Sequence, residues 1–355
     1  GPLRPPVRRG PGVKEEPIVK RNPVIVVAGL VAALSLAVTG CASGAPATSA
    51  PASTAGTSAA PATDREYKVG ISQYVSHTSL DAARDGFKEA LADAGLKVTY
   101  DEKNAQTDAA TNTTIATTFA SADLDLVLAI ATPSAQAAAQ AIADTPVLFT
   151  AVTDPVAAKL VASADAPGAN VTGTSDMNPV AEQIALIKKL KPEARTVGII
   201  YSSGEVNSEV QVAAAKEAAA KEGLEVVERT ITTTAEVQQA ANALEVDAIY
   251  VPTDNNVVSA LESVVQVAET KQIPLVVGEG DSVAKGGIIT YGLDYTKLGY
   301  QTGEMAIKVL KGEAQPATMP VETLKDLKVY VNKAAAERMG ITVPADLLDG
   351  AEVVG

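Results

Sequence analysis

Two segments of the chain carry polar side chains at the positions where an α/β fold gathers its ligands. In residues 125–155, DLVLAIATPSAQAAAQAIADTPVLFTAVTDP, Thr132 and Ser134 follow one short apolar run and Asp154 closes a second. In residues 247–281, DAIYVPTDNNVVSALESVVQVAETKQIPLVVGEGD, Thr253, Asp254 and Asn255 follow the first run and Asp281 closes the second. Hydroxyls at a helix start add donors to its free amides and suit an anion. A carboxylate at a strand end suits a cation. The same residue types cap helices and fix turns, so Thr132 and Ser134 read equally as N-cap groups, and Asp154 before Pro155 as a turn former. Asp254 ranks first as the cation partner, because Thr253, Asp254 and Asn255 offer more capping groups than one helix start requires. Tyr74, and more weakly Tyr201, could supply an aromatic wall.

Catalytic chemistry finds little to work with. The chain has one histidine, His77, and one cysteine, Cys41. It has no Gly-x-Ser-x-Gly elbow, no phosphate loop and no His/carboxylate metal cluster. An aspartate pair could do acid–base work, but nothing identifies a bond for it to break. The residues therefore point to a binding protein that is not an enzyme and needs no cofactor. His77 is expected in a solvated loop, with ligand contact or pH sensitivity as alternatives.

The elements that must position these residues follow from the apolar runs. Each run is short, is bounded by turn residues and is separated from the next by one helix, which reads as buried parallel strands in βαβ units. Ligands collect outside the carboxyl ends of such strands. The two segments share the order Asp, apolar run, Pro/Thr cluster, helix, Pro, apolar run, Asp. Thr132 and Ser134 thus correspond to Thr253 and Asn255, and Asp154 to Asp281. A duplicated α/β half predicts two Rossmann-like lobes facing each other across a cleft. Strands are expected at 67–72, 96–100, 126–130, 146–151, 170–175, 196–201, 224–229 and 288–291. Helices are expected at 79–94, 109–122, 135–143, 179–190, 205–222, 235–244 and 295–311, with a tail strand at 328–332 and a last helix at 345–348. The alternation gives mostly parallel sheets covered on both faces. Lobe 1 is expected over 66–175 and 292–320, and lobe 2 over 176–291 and 321–355, with crossings near 170–177, 291–294 and 317–323.

The N-terminal part has a different character. Residues 1–18 show no apolar periodicity. Lys20 and Arg21 precede an uncharged apolar run over 23–38 that ends in Val-Thr-Gly-Cys41, the pattern of a secretory leader rather than a spanning helix. Cys41 after Thr-Gly resembles the lipobox of bacterial lipoproteins, in which the thiol is lipidated and becomes the mature N-terminus. Residues 1–41 are therefore expected to be extension plus leader. Residues 42–65, rich in Ala, Ser, Thr and Pro, are expected to be a disordered tether that cannot bury a core. The formal charge of −13 argues against a nucleic-acid partner, and removal of the leader with its excess of basic residues makes the chain more acidic still. Aromatic residues make up only 3% of the chain, so the core must be built from Ala, Val, Leu and Ile.

Several blocks carry a family resemblance. They are VGISQY at 69–74, LDAARDGFKEAL at 80–91, ATPSAQA at 131–137, FTAVTDPV at 149–156, NVTG at 170–173, YVPTDN at 250–255 and YQTGEMA at 300–306. In this order they resemble the ABC-transporter substrate-binding lipoproteins of the tryptophan/tyrosine type, over essentially all of residues 66–355. The resemblance implies a type I periplasmic-binding-protein fold and a lipid-anchored, extracytoplasmic carrier. Such a carrier delivers a small ligand, an aromatic amino acid above all, to a membrane permease, and as a tethered carrier it is expected to be a monomer. The candidate ligand contacts are Tyr74, Thr132, Ser134, Asp154, Tyr201, Asp254, Asn255 and Asp281. The chain departs from the family at Tyr74-Val75-Ser76-His77-Thr78, where an apolar residue and Glu-His-Pro are common, and at Tyr201-Ser202-Ser203-Gly204, where Asn-Pro is common. Another solute, such as a nucleoside, a sugar or a branched amino acid, and a sensor that presents its closed form to a receptor stay open as alternatives.

Overall fold

The computed structural model describes residues 65–355. The leader, Cys41 and all of the tether but Arg65 lie outside them. Arg65 is already part of the folded unit: its guanidinium meets the Asp125 carboxylate at 2.6 Å and stacks on the Tyr67 ring. Among the described residues no helix is long and apolar enough to cross a membrane.

The chain runs β1 (Glu66–Gln73), α1 (Thr78–Asp93), β2 (Lys97–Asn104), α2 (Ala109–Ser121), β3 (Leu126–Ile130), α3 (Thr132–Ala141), β4 (Val147–Val152) and β5 (Val171–Ser175). It then crosses to a second lobe made of α4 (Val180–Leu190), β6 (Thr196–Ser202), α5 (Val206–Lys221), β7 (Glu225–Ile231), α6 (Val237–Asn242), β8 (Ala248–Val251), α7 (Asn255–Ser259), α8 (Leu261–Lys271), β9 (Leu275–Val277), α9 (Gly280–Ala284) and β10 (Ile289–Gly292). It returns to the first lobe for α10 (Tyr295–Leu310) and β11 (Glu322–Thr323). A third crossing leads to β12 (Lys328–Val331), α11 (Lys333–Arg338) and β13 (Glu352–Val353).

The first sheet has the order β11-β5-β4-β3-β1-β2 and the second β13-β12-β10-β9-β8-β6-β7. Every pairing is parallel except β10 with β12. Five strands therefore recur in the same order in both lobes, β2-β1-β3-β4-β5 and β7-β6-β8-β9-β10, which is the duplication read from the two polar segments. Each lobe buries its own apolar core, and among the described residues the only large rings that are fully buried are Phe87, Phe119 and Phe149 in the first and Tyr250 in the second. The aliphatic strands explain this: Leu126–Ile130 is buried at all five positions, so both faces of β3 must be covered by helices.

The third crossing falls later than expected. Glu322 and Thr323 pair with Thr174 and Ser175 of β5, so the first sheet holds the chain until residue 323. Two short helices, α9 and α11, were not foreseen, and the last helix expected at 345–348 is a single 3-10 turn at Ala345–Leu347. Helix α9 begins on Gly280, a poor helix former, and exists because the Glu279 side chain caps it. The helix expected after Asn255 is broken at Ala260 into α7 and α8.

The most extensive helix–helix contact is α1 on α10. Glycines set its closeness. A Cβ on Gly299 would lie 1.8 Å from the Ala83 carbonyl oxygen, one on Gly86 2.1 Å from that of Thr296, and one on Gly303 2.5 Å from the Ala90 Cβ. Gly299→Ala must therefore push the helices apart. It should cost about 1–3 kcal/mol in a urea titration, whereas Gly204→Ala, with nothing near its Cβ, should stay within about 0.5 kcal/mol of the parent. Equal midpoints for the two variants would refute the close crossing.

Candidate ligand-binding cleft

The carboxyl ends of both sheets face a small cavity between the lobes. Lobe 1 contributes His77, Ser79 and Leu80 from the start of α1, Ala151 and Thr153 from the end of β4, and Tyr295 from the start of α10. Lobe 2 contributes Asn207 from α5, Thr253, Asn255 and Val258 around α7, and Glu279 after β9, while Asp176 comes from the first crossing. The lobes touch across it: the Ser79 hydroxyl donates to the Glu279 carboxylate at 2.8 Å.

One end of the cavity is acidic. Asp176, 3% exposed, accepts hydrogen bonds from the Tyr295 hydroxyl at 2.7 Å and the Thr153 hydroxyl at 3.1 Å. Glu279, 2% exposed, accepts from the backbone N–H groups of Asp281 and Ser282 and from the Ser282 hydroxyl. Burial pushes both carboxyls above their ordinary range, and for Glu279 the nearby Asp281 adds to it, while the hydrogen bonds work the other way. Burial, and then the two acids, also holds the Tyr295 phenol well above its usual value. No lysine or arginine lines the cavity. Two buried acids without a cationic partner make a strong site for a ligand cation.

The donors come from α1. Its cap, His77, makes no side-chain capping bond, so the first amides of a 16-residue helix lie free at the cavity wall. Helix α1 faces the cleft because β1 ends there and Gly95, at φ +70, stops the helix at its far end.

Two strands along the second sheet from Glu279, the cavity wall rests on Glu205. Its buried Oε2 accepts from the side-chain amides of Asn207 at 2.9 Å and Asn255 at 2.6 Å, and its Oε1 from that of Asn256 at 3.2 Å. Burial, then the neighbouring Asp254 carboxylate, pushes the Glu205 carboxyl up to about 8. His77 is no solvated loop residue: its Nδ1 is buried, and burial pushes the ring down to about 4.

Of the eight contacts expected from sequence, Asn255 alone lines the cavity. Asp254 is fully buried and its oxygens are taken. It accepts from the Ser202 N–H and hydroxyl at 2.6 and 3.0 Å, the Ser208 hydroxyl at 2.6 Å and the Val257 N–H at 2.9 Å, binding α7 to the start of α5. Asp154 caps the turn at Val156 and Ala157. Ser134 donates to Asn112 and, with Thr132, is buried under α2 rather than in the cleft. The Tyr74 hydroxyl donates to the Thr107 carbonyl within lobe 1, and Tyr201 donates to Glu228 on β7. Asp281 lines a separate outer groove with Asp294 and Glu352. The residues missed are Ser79, Thr153, Asp176, Asn207, Glu279 and Tyr295. Glu279, between Gly278 and Gly280 at the end of the second repeat, carried a usable signal.

Two α/β lobes closing on a small polar cavity define a class of solute-binding proteins with the type I periplasmic-binding-protein fold. The chain belongs to the ABC transporter substrate binding protein family, which it matches over residues 68–354. A tyrosine-binding protein of Clostridioides difficile strain R20291 is 45% identical over 275 residues, 76% of this chain and 79% of that protein. A Streptococcus ABC domain solved in complex with L-Trp superposes with a TM-score of 0.79 at 39% identity, covering 82% of this chain and 100% of that one. A ligand-free, open substrate-binding protein with adhesive properties from Clostridium difficile gives a TM-score of 0.62 at 45% identity, covering 81% and 99%. The higher score goes to the complex despite its lower identity, in keeping with the contact of the two lobes across the cleft.

Two measurements check this geometry. Asp254→Ala strands several buried donors at once and should cost at least about 2 kcal/mol of stability; a loss of ligand affinity without a loss of stability would return Asp254 to the binding role. The raised Glu205 carboxyl keeps a proton in the folded protein that the unfolded chain releases, so its contribution is lost as pH rises from 4.5 to about 8. His77 acts oppositely, its contribution being lost as pH falls from 6.5 to about 4. Above pH 6.5 Glu205 acts without that opposition, so the urea midpoint should decline toward pH 8 and Glu205→Gln should flatten the decline. A profile that is the same in parent and variant would contradict the assignment.

Proposed function

We propose that the protein is the lipid-anchored, extracytoplasmic solute-binding component of an ABC importer, working as a monomer, and that it closes on the zwitterionic backbone of an aromatic amino acid. The observation that carries this reading is the pairing of Asp176 and Glu279 with the free amides at the start of α1 around one cavity. The α-ammonium fits between the two carboxylates, one at the crossing and one on lobe 2. The α-carboxylate fits the helix start of lobe 1, where free N–H groups and the helix dipole coincide. Leu80, Ala151 and Val258 offer apolar surface to the side chain. Because the binding groups come from both lobes, the ligand favours the closed arrangement, which is how binding selects one hinge state over another. The names of the tyrosine-binding relative and the L-Trp complex support the aromatic class. The leader-like run and Cys41 support the anchor, and the family supports a membrane permease as partner.

Calorimetry with tryptophan and tyrosine, set against their decarboxylated amines and deaminated acids, tests the reading. Both halves of the zwitterion should be required, each worth about a hundredfold in affinity, as for charge-assisted hydrogen bonds in a dry site. Asp176→Asn and Glu279→Gln should each weaken the amino acids and leave the deaminated acids unaffected. Affinity should also fall as pH drops, because ammonium binding draws off protons that burial holds on the two carboxyls. Amines or acids that bind as well as the amino acids, or a response to sugars or nucleosides alone, would overturn the proposal.

A further inference from the structure

Two strands along the second sheet from Glu279, after β6, the cavity wall carries a free amide oxygen. The Asn207 side chain is 3% exposed, and its Nδ2 donates to Glu205 Oε2 at 2.9 Å and to the Thr253 backbone carbonyl at 3.2 Å. A backbone carbonyl can only accept, so the amide orientation is fixed and Oδ1 points the other way. That Oδ1 is buried and has no hydrogen-bond partner in the chain. Asn255 is fixed in the same manner, its Nδ2 donating to Glu205 at 2.6 Å. Asn207 and His77 both line the cavity, one from each lobe.

We infer that Asn207 forms a subsite for a hydrogen-bond donor at the side-chain end of the ligand, and that Glu205 is the positioning residue that turns its amide oxygen toward it. The inference rests on the aromatic amino-acid reading and narrows it to side chains ending in N–H or O–H, an indole or a phenol, against a plain phenyl ring. Apolar isosteres leave a buried acceptor unpaired, and a site built to hydrogen-bond a substrate group discriminates strongly against an analogue that lacks it. Glu205 acts through the asparagines and does not itself line the cavity. Its Oε2 accepts whether or not the carboxyl carries a proton, so the subsite keeps its polarity in both states.

Calorimetry on the purified wild-type protein with two isosteric pairs, tyrosine against phenylalanine and tryptophan against benzothienylalanine, decides the matter. The donor-bearing member of each pair should bind about 10- to 100-fold more tightly. Asn207→Leu and Glu205→Gln should bring each ratio toward one, whereas a merely structural role would weaken both members of a pair alike and leave the ratio unchanged. Equal affinities within each pair in the wild-type protein overturn the subsite while leaving the amino-acid reading intact. Failure of all four to bind overturns that reading and the subsite together.

Discussion

The near-contact of α1 and α10 is the constraint on which the rest depends. Three glycines let the two backbones meet where any Cβ would collide with a carbonyl oxygen or a neighbouring methyl group. That contact places the start of α1, with Ser79 and its free amides, beside the start of α10, with Tyr295. Ser79 then reaches Glu279 on the other lobe, and Tyr295 reaches Asp176 at the crossing. Moving the helices apart by the width of a methyl group would disturb both ends of this arrangement at once. Packing far from solvent thus sets the position of the groups that meet the ligand.

The chemistry of the cleft follows from what burial does to charge. Carboxylates removed from water are unfavourable unless they are paired, and Asp176 and Glu279 have hydroxyl and amide donors but no cation. In the proposed function their cost falls when the ligand ammonium enters, so the unfavourable electrostatics of the cleft become affinity for the ligand. Glu205 and Asp254 solve the same problem differently. Surrounded by asparagine amides, serine hydroxyls and backbone N–H groups, they hold the start of α5 against α7 and need nothing from outside. On the proposed reading one pair of buried acids meets the ligand and the other positions the groups around it.

Much of the architecture was legible in the chain itself. Leu126–Ile130 could only be a strand covered on both faces, Gly95 and Gly223 marked helix ends with positive φ, and the repeated order of apolar run, polar cluster and closing acid announced two similar lobes. The cleft was legible as a location but not as a set of residues. Capping a helix and binding an anion use the same side chains, so Ser134, Asp154 and Asp254 could not be assigned before their partners were known. In the fold each has a local partner, and Asp254 has four donors. Asp176 and Glu279 gave weaker signals, one inside Ser-Asp-Met-Asn at a crossing and the other between two glycines, because their roles arise from segments about a hundred residues apart meeting at the hinge. Helix α9 was hidden for a related reason: its start depends on the Glu279 side chain rather than on helix propensity.

A crystal structure of the protein bound to L-tyrosine is the most direct test. The account predicts the α-ammonium within hydrogen-bonding distance of Asp176 and Glu279, the α-carboxylate on the first amides of α1, and the phenol at the Asn207 end. A ligand bound in the reverse sense, with its carboxylate beside the two acids, or one seated outside the interlobe cavity, would contradict it.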